Sequence, residues 1–248
     1  MNDFFIQENA VSGISENDYE RVTDVIITLK AYARLTFQSI YVIDYYKKNF
    51  LYVSDNTLLL CGHQPSDLIK MGYDFYLIHV PPEELDMLIE INKAGFEFYQ
   101  RTPLDRRTQI YLSYDFHILD RGHKKLINHK ITPIVLDPNG NVWLAACVVS
   151  PSFNQHVGHI EAHSEGYADY WTYSLEKHQW DKEINITLNE TEKEILRLST
   201  QGYFEKEIAD IMPLNINNLK RYKKNINKTL GAYNITSATV IAHQKKLM

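Results

Sequence analysis

Residues 188–231, LNETEKEILRLSTQGYFEKEIADIMPLNINNLKRYKKNINKTLG, constrain this chain more than any other stretch. Three short helical periods follow one another there, and the last carries five cations and no acid. Asn189 stands three residues before Glu192, the spacing of a capping box in which each side chain serves the other's backbone N–H. Thr191, Ile195 and Leu198 recur at i, i+4 and i+7 as one buried stripe, and Gly202 stops that helix. A second helix is expected over roughly Glu205 to Met212, with Ile208, Ala209 and Met212 inward. Pro213 ends it, and Asn215 offers the cap of a third that begins near Ile216. The order is helix, tight turn, helix.

In the third period Leu219, Tyr222, Ile226 and Leu230 define the buried side. Asn217, Asn218, Lys220, Arg221, Lys224 and Lys228 are left to the outer faces. These residue types suit a DNA major groove: Asn pairs with adenine, Arg and Lys with guanine edges, and surplus cations neutralise phosphate. A merely solvated basic face needs neither two preceding helices nor a capped start. Charge is divided accordingly. Residues 188–248 hold ten Lys and Arg against six Asp and Glu, a formal +4, while the remainder carries −9 of the chain's net −5. Double-stranded DNA is the expected partner, with marked salt sensitivity.

Over residues 186–246 the pattern resembles the LuxR/NarL-type helix-turn-helix domain of bacterial transcription regulators. Leu188 and Glu192 to Leu196 follow its opening, Gln201 and Gly202 its turn, and Lys206 to Ala209 its KEIA; Leu219 with Lys220 and Leu230 with Gly231 complete it. The resemblance implies base-edge contacts for Lys220, Arg221 and Lys224, and backbone contacts for Lys206, Asn218 and Lys228. Three positions depart from the pattern: Phe204 replaces a Ser or Thr cap, Asn218 a Thr, and Tyr222 a His. A fourth helix, capped by Thr236 or Ser237 and carrying Val240, Ile241 and Leu247, is expected to support the third and to help form a dimer.

The remaining sequence, within a 248-residue chain that is 44% hydrophobic, suffices for one further domain of moderate size. The stretch MNDFFIQENAVSG lacks the features of a signal peptide. No apolar run reaches the length of a membrane span, so a cytoplasmic protein with no membrane contact is expected. Cys61 and Cys147, without a CxxC, read as core residues, and the Asn-x-Thr triplets at Asn185, Asn189, Asn227 and Asn234 as coincidence. From Ser15 to about Thr36 the residues Tyr19, Val22, Ile26, Leu29 and Ala33 form a seam of two heptads. It either packs on its own domain or pairs in a homodimer.

SIYVIDYYKKNFLYVSD reads as a hairpin, residues 57–100 as mostly helical, and Ile110 to Ile118 as an alternating strand. ITPIVL and NVWLAACVV flank a DPNG turn as two more. Five strands with intervening helices resemble the PAS domain over residues 37–151, a sensory and dimerisation fold; a small-molecule ligand is what that resemblance implies, but it names none. The surroundings of Cys61 do not match a flavin photosensor, and His63 or His79 would be the haem candidates. No cofactor is identifiable. His156, His159 and His163 would share a face if their segment were helical; a solvated linker over 152–187 is the stronger expectation, with YADYWTYSLEKHQW packed on one domain. No phosphate loop, GxSxG, HExxH or receiver-type acid pair occurs, so a non-enzymatic role is expected.

The reading is an α+β chain: a helical segment at 1–36, a PAS-like five-stranded antiparallel sheet with helices at 37–151, a linker at 152–187, and an all-α four-helix helix-turn-helix domain at 188–248. Its function is read as transcription regulation through DNA. A protein-interaction module that uses the helix-turn-helix to bind a polymerase or signalling partner is the alternative.

Overall fold

The computed structural model describes residues 9–165, 169–184, 186–245 and 247–248. The N-terminal stretch 1–8, Tyr167 and Ala168 of the aromatic segment, and Asn185 lie outside them. The chain forms two compact units, Met1–Glu183 and Ile184–Met248.

The first unit opens with helices α1 (Glu16–Arg21) and α2 (Thr23–Ala33), then the hairpin β1 (Ser39–Asp44) and β2 (Asn49–Val53). Four helices follow: α3 (Thr57–Leu60), α4 (Pro65–Met71), α5 (Asp74–His79) and α6 (Pro82–Arg101). Pro82 at the first turn of α6 loses no hydrogen bond there, and Glu83 and Glu84 complement the positive helix end. Strands β3 (Ile110–Asp120), β4 (His123–Leu136) and β5 (Val142–Pro151) form the expected meander. The sheet is antiparallel in the order β2-β1-β5-β4-β3-β6-β7-β8, so it has eight strands and not five.

The three additional strands, β6 (Gly158–Ser164), β7 (Tyr170–Ser174) and β8 (Gln179–Glu183), come from the segment read as a linker. The first of them, β6, pairs with β3, about fifty residues earlier, through Ile110↔Ser164 and Leu112↔Ala162, and β7 then pairs with β6 and β8 with β7. The aromatic part packs as expected: Trp171 and Trp180 meet Phe98 of α6 at ring-centroid distances of 5.2 and 5.0 Å, and Trp180 Nε1 donates to the Ala94 carbonyl at 3.1 Å. The three histidines share no helical face, since His159 and His163 lie on β6 and His156 precedes it.

The two faces of the sheet bury separate cores. Tyr41, Phe116, Ile127 and Cys147 meet Leu68, Phe75 and Ile91 from α4, α5 and α6 on one face. On the other, Val22, Tyr19, Ile26 and Leu29 pack against Val42, Trp143 and Leu144. The heptad seam is therefore occupied by the chain's own sheet. Its period is interrupted at Val22, where one helix ends and the next begins.

The second unit contains α7 (Glu190–Thr200), α8 (Glu205–Ile211), α9 (Ile216–Leu230) and α10 (Ile235–Gln244). The Asn189–Glu192 capping box forms in both directions at 3.0 Å. Asn215 accepts the Asn218 N–H at 2.8 Å, and α9 ends on Gly231, whose φ of 64° suits a residue without Cβ. The cap of α10 is Asn234 and not Thr236 or Ser237, with Ser237 instead serving as its reciprocal partner. Ile195, Leu196, Ile208, Leu219, Ile226 and Ala238 close a core of their own.

Candidate nucleic-acid interface and inner cavity

The core of the second unit decides what α9 presents. With Leu219, Ile226 and Leu230 buried, helical geometry turns Asn217, Lys220, Arg221, Lys224 and Lys228 outward, and all five are exposed. Their spacing forms one stripe along a helix about 22 Å long. Asn218 is only half-exposed and its backbone N–H is used by the cap. Lys206 is exposed on α8. Asn225, exposed one turn beyond Arg221, also belongs to the stripe; its i+4 spacing from Arg221 was the available signal.

Three other cations of the unit are neutralised locally. Lys193 meets Glu190 at 2.8 Å and Arg197 meets Glu194. Lys223, the fifth cation of α9, turns back to Glu205 at 3.0 Å with its side chain only 17% exposed. Among the described residues, Lys220, Arg221, Lys224 and Lys228 have no carboxylate within ion-pair range. Four unpaired cations on one helix cost self-repulsion, and a polyanion laid against them relieves it.

The first unit has a buried polar chain. Tyr41 on β1 is within hydrogen-bond distance of both Tyr76 on α5 and His129 on β4, the latter at 2.6 Å to Nε2. His129 Nδ1 is buried with no hydrogen-bond partner among the described residues. Burial holds the imidazole neutral, its pKa down at about 3, and raises the Tyr41 phenol well above its ordinary value. A cavity of about 30 Å³ is lined by Tyr76 and His129 of this chain, and a second of about 60 Å³ shares Tyr45, Asn92, Tyr114 and Ile131 with it as walls. Neither has a charged side chain in its lining. A larger open groove of about 320 Å³ lies beside α1, with Asp18, Arg21 and Asp137 on its walls.

His63 and His79 face each other, Nε2 to Nε2, at 3.0 Å, and His79 Nδ1 meets the Leu119 carbonyl at 2.9 Å. Burial raises the Cys61 thiol to about 12, with Asp120 adding to it, and raises Cys147 further. Among the described residues no three His, Cys, Asp or Glu side chains converge as metal ligands, and no helix is long and apolar enough to cross a membrane.

His129 yields a pH prediction. Its folded-state pKa lies below the ordinary 6.5, so below that pH the unfolded chain binds the extra proton and stability falls as pH drops from about 6.5 toward 3. Between pH 7 and 4.5 this residue accounts for a loss of about 2–3 kcal/mol. Denaturant unfolding of the parent and of His129→Phe at both pH values should show the pH-dependent part shrinking by that amount in the variant.

Fold and site together define a class: a helix-covered antiparallel sheet joined in one chain to a helix-turn-helix unit with a cationic third helix. A family match covers the second unit alone. Residues 187–247 match the family of bacterial regulatory proteins of the luxR type, and the C-terminal unit is a LuxR-family helix-turn-helix domain. Among solved structures, the VqmA dimer of Vibrio cholerae, described among LuxR-type receptors, is 17% identical over 90% of this chain and 88% of that one, with a TM-score of 0.32. The PAS domain of a protein from Colwellia psychrerythraea is 16% identical over 51% of this chain and 97% of that one, with a TM-score of 0.38. Neither likeness is close enough to carry a residue's role across. No curated protein matches the chain.

Proposed function

We propose that this chain is a cytoplasmic, homodimeric transcription regulator that acts by binding and not by catalysis. Its LuxR-family unit reads double-stranded DNA through α9, and its PAS-like unit controls that binding in response to a small molecule. The observation that carries the DNA reading is the stripe of Lys220, Arg221, Lys224 and Lys228, unpaired among the described residues, on a helix whose opposite face is locked into a core. Lys220, Arg221 and Lys224 take base edges in this reading; Lys206, Asn218 and Lys228 take the backbone, and Asn217 sits at the groove-facing start of α9. The small cavity walled by Tyr76 and His129 supports the sensor reading. Its uncharged walls and neutral imidazole favour an uncharged ligand, since a buried ion would have no counter-charge there.

Two half-sites related by a two-fold axis follow from a dimer. Selection of duplexes from a random pool by the full chain should enrich a palindromic site. A pool that remains unenriched while nuclease-treated lysate still yields a polymerase subunit would favour a protein-binding role instead. Native mass spectrometry of the purified chain would reveal a retained ligand as a discrete added mass.

A further inference from the structure

Phe204 breaks a rule that the rest of its unit keeps. The other three helices of the unit start on asparagine, with Asn189, Asn215 and Asn234 each accepting a backbone N–H of the first turn. Helix α8 starts on Phe204, whose side chain has no acceptor. Only the reverse half of the box exists, Phe204 N–H donating to the Glu207 carboxylate at 2.7 Å. The ring gains no burial in exchange, being 78% exposed. Tyr203 beside it is 43% exposed. A position that forgoes a cap and exposes an aromatic, in a unit otherwise consistent in its local choices, fits selection for contact with something outside the fold.

The mount of this ring is well defined. The turn before it is closed by Gly202 N–H to the Ser199 carbonyl at 3.1 Å and Tyr203 N–H to the Leu198 carbonyl at 3.2 Å. The residue after it, Glu205, is tied to Lys223 in the middle of α9, three residues beyond Lys220 and one before Lys224. The first turn of α8 is thereby held beside the cationic helix. In helix-turn-helix docking the first helix of the pair crosses the DNA backbone while the second enters the groove.

We infer that Phe204 is a DNA-contacting residue whose ring packs on the apolar deoxyribose wall flanking the groove that α9 enters. The inference rests on the DNA-binding reading above. Such a contact displaces no counterion, so it adds affinity without adding salt dependence, unlike the lysines of α9.

The test uses the full chain and three variants, Phe204→Ser, Phe204→Leu and Lys228→Ala, titrated with a selected duplex at several salt concentrations. Phe204→Ser restores a cap and should raise the melting temperature of the second unit by a few degrees. It should also weaken DNA binding about five- to tenfold with the salt slope unchanged. Phe204→Leu, which keeps an apolar side chain, should fall between the serine variant and the parent, and Lys228→Ala should lower the slope. Undiminished binding by Phe204→Ser, or a slope reduced as far as in Lys228→Ala, overturns the inference. If Lys228→Ala weakens binding while Phe204→Ser does not, the DNA reading stands and only the role of Phe204 falls. If no duplex is bound by the parent at any salt, both fall.

Discussion

Replacing Lys220, Arg221 and Lys224 together by alanine is expected to weaken binding to a selected duplex about a thousandfold, since each base-edge contact contributes about 1–3 kcal/mol of discrimination. The same change should leave the fold intact. All three side chains are exposed, and the core beneath them is formed by Leu219, Ile226 and Leu230. Replacing the backbone-contacting Lys206 and Lys228 by alanine should instead make the slope of log affinity against log salt shallower by about one for each, which separates phosphate contacts from base readout. Lys223→Ala supplies the contrast. It removes a cation of the same helix already paired with Glu205, so its effect on DNA should be much smaller. The measurement is fluorescence anisotropy at graded salt, with circular dichroism to show that helix content is unchanged.

Leu196→Ala should destabilise the second unit by about 2–5 kcal/mol, the cost of removing a fully buried leucine and leaving a cavity. The hydrophobic clusters of the two units share no residue. All three tryptophans, Trp143, Trp171 and Trp180, lie in the first unit. Tryptophan fluorescence therefore reports the first unit, while the far-ultraviolet helix signal reports both. The variant should lose part of its helix signal at a lower denaturant concentration than the parent, with the fluorescence transition unmoved. A matching shift in both signals would show that the units unfold as one.

What the sequence made legible was local. The caps at Asn189 and Asn215, the stop at Gly202 and the period of α9 all depend on residues within a turn or two of one another. Of the five strands of 39–151, β3 announced itself by alternation and the others by β-branched and aromatic runs beside turn residues. The strands at 158–183 did not, because β6 depends on β3, with β7 and β8 pairing on from it, and Gly158 with the clustered histidines reads as loop until that partner is known. The seam of Tyr19, Val22, Ile26 and Leu29 showed the right period without showing what covers it. Trp143 and Leu144, more than a hundred residues away, do so. The buried chain of Tyr41, Tyr76 and His129 draws on a strand, a helix and another strand, and no spacing could have linked them. That Lys223 is paired with Glu205 emerged only from the packing of α8 on α9, since the two residues are eighteen apart.

The central claim is that α9 reads DNA, and the most direct measurement is the affinity of the unmodified full chain for its selected duplex across salt concentrations. Binding that weakens steeply and linearly on logarithmic axes, with at least a hundredfold preference over unrelated duplex DNA, is the expected result. Absence of binding at low salt, or equal binding to every duplex, would contradict it.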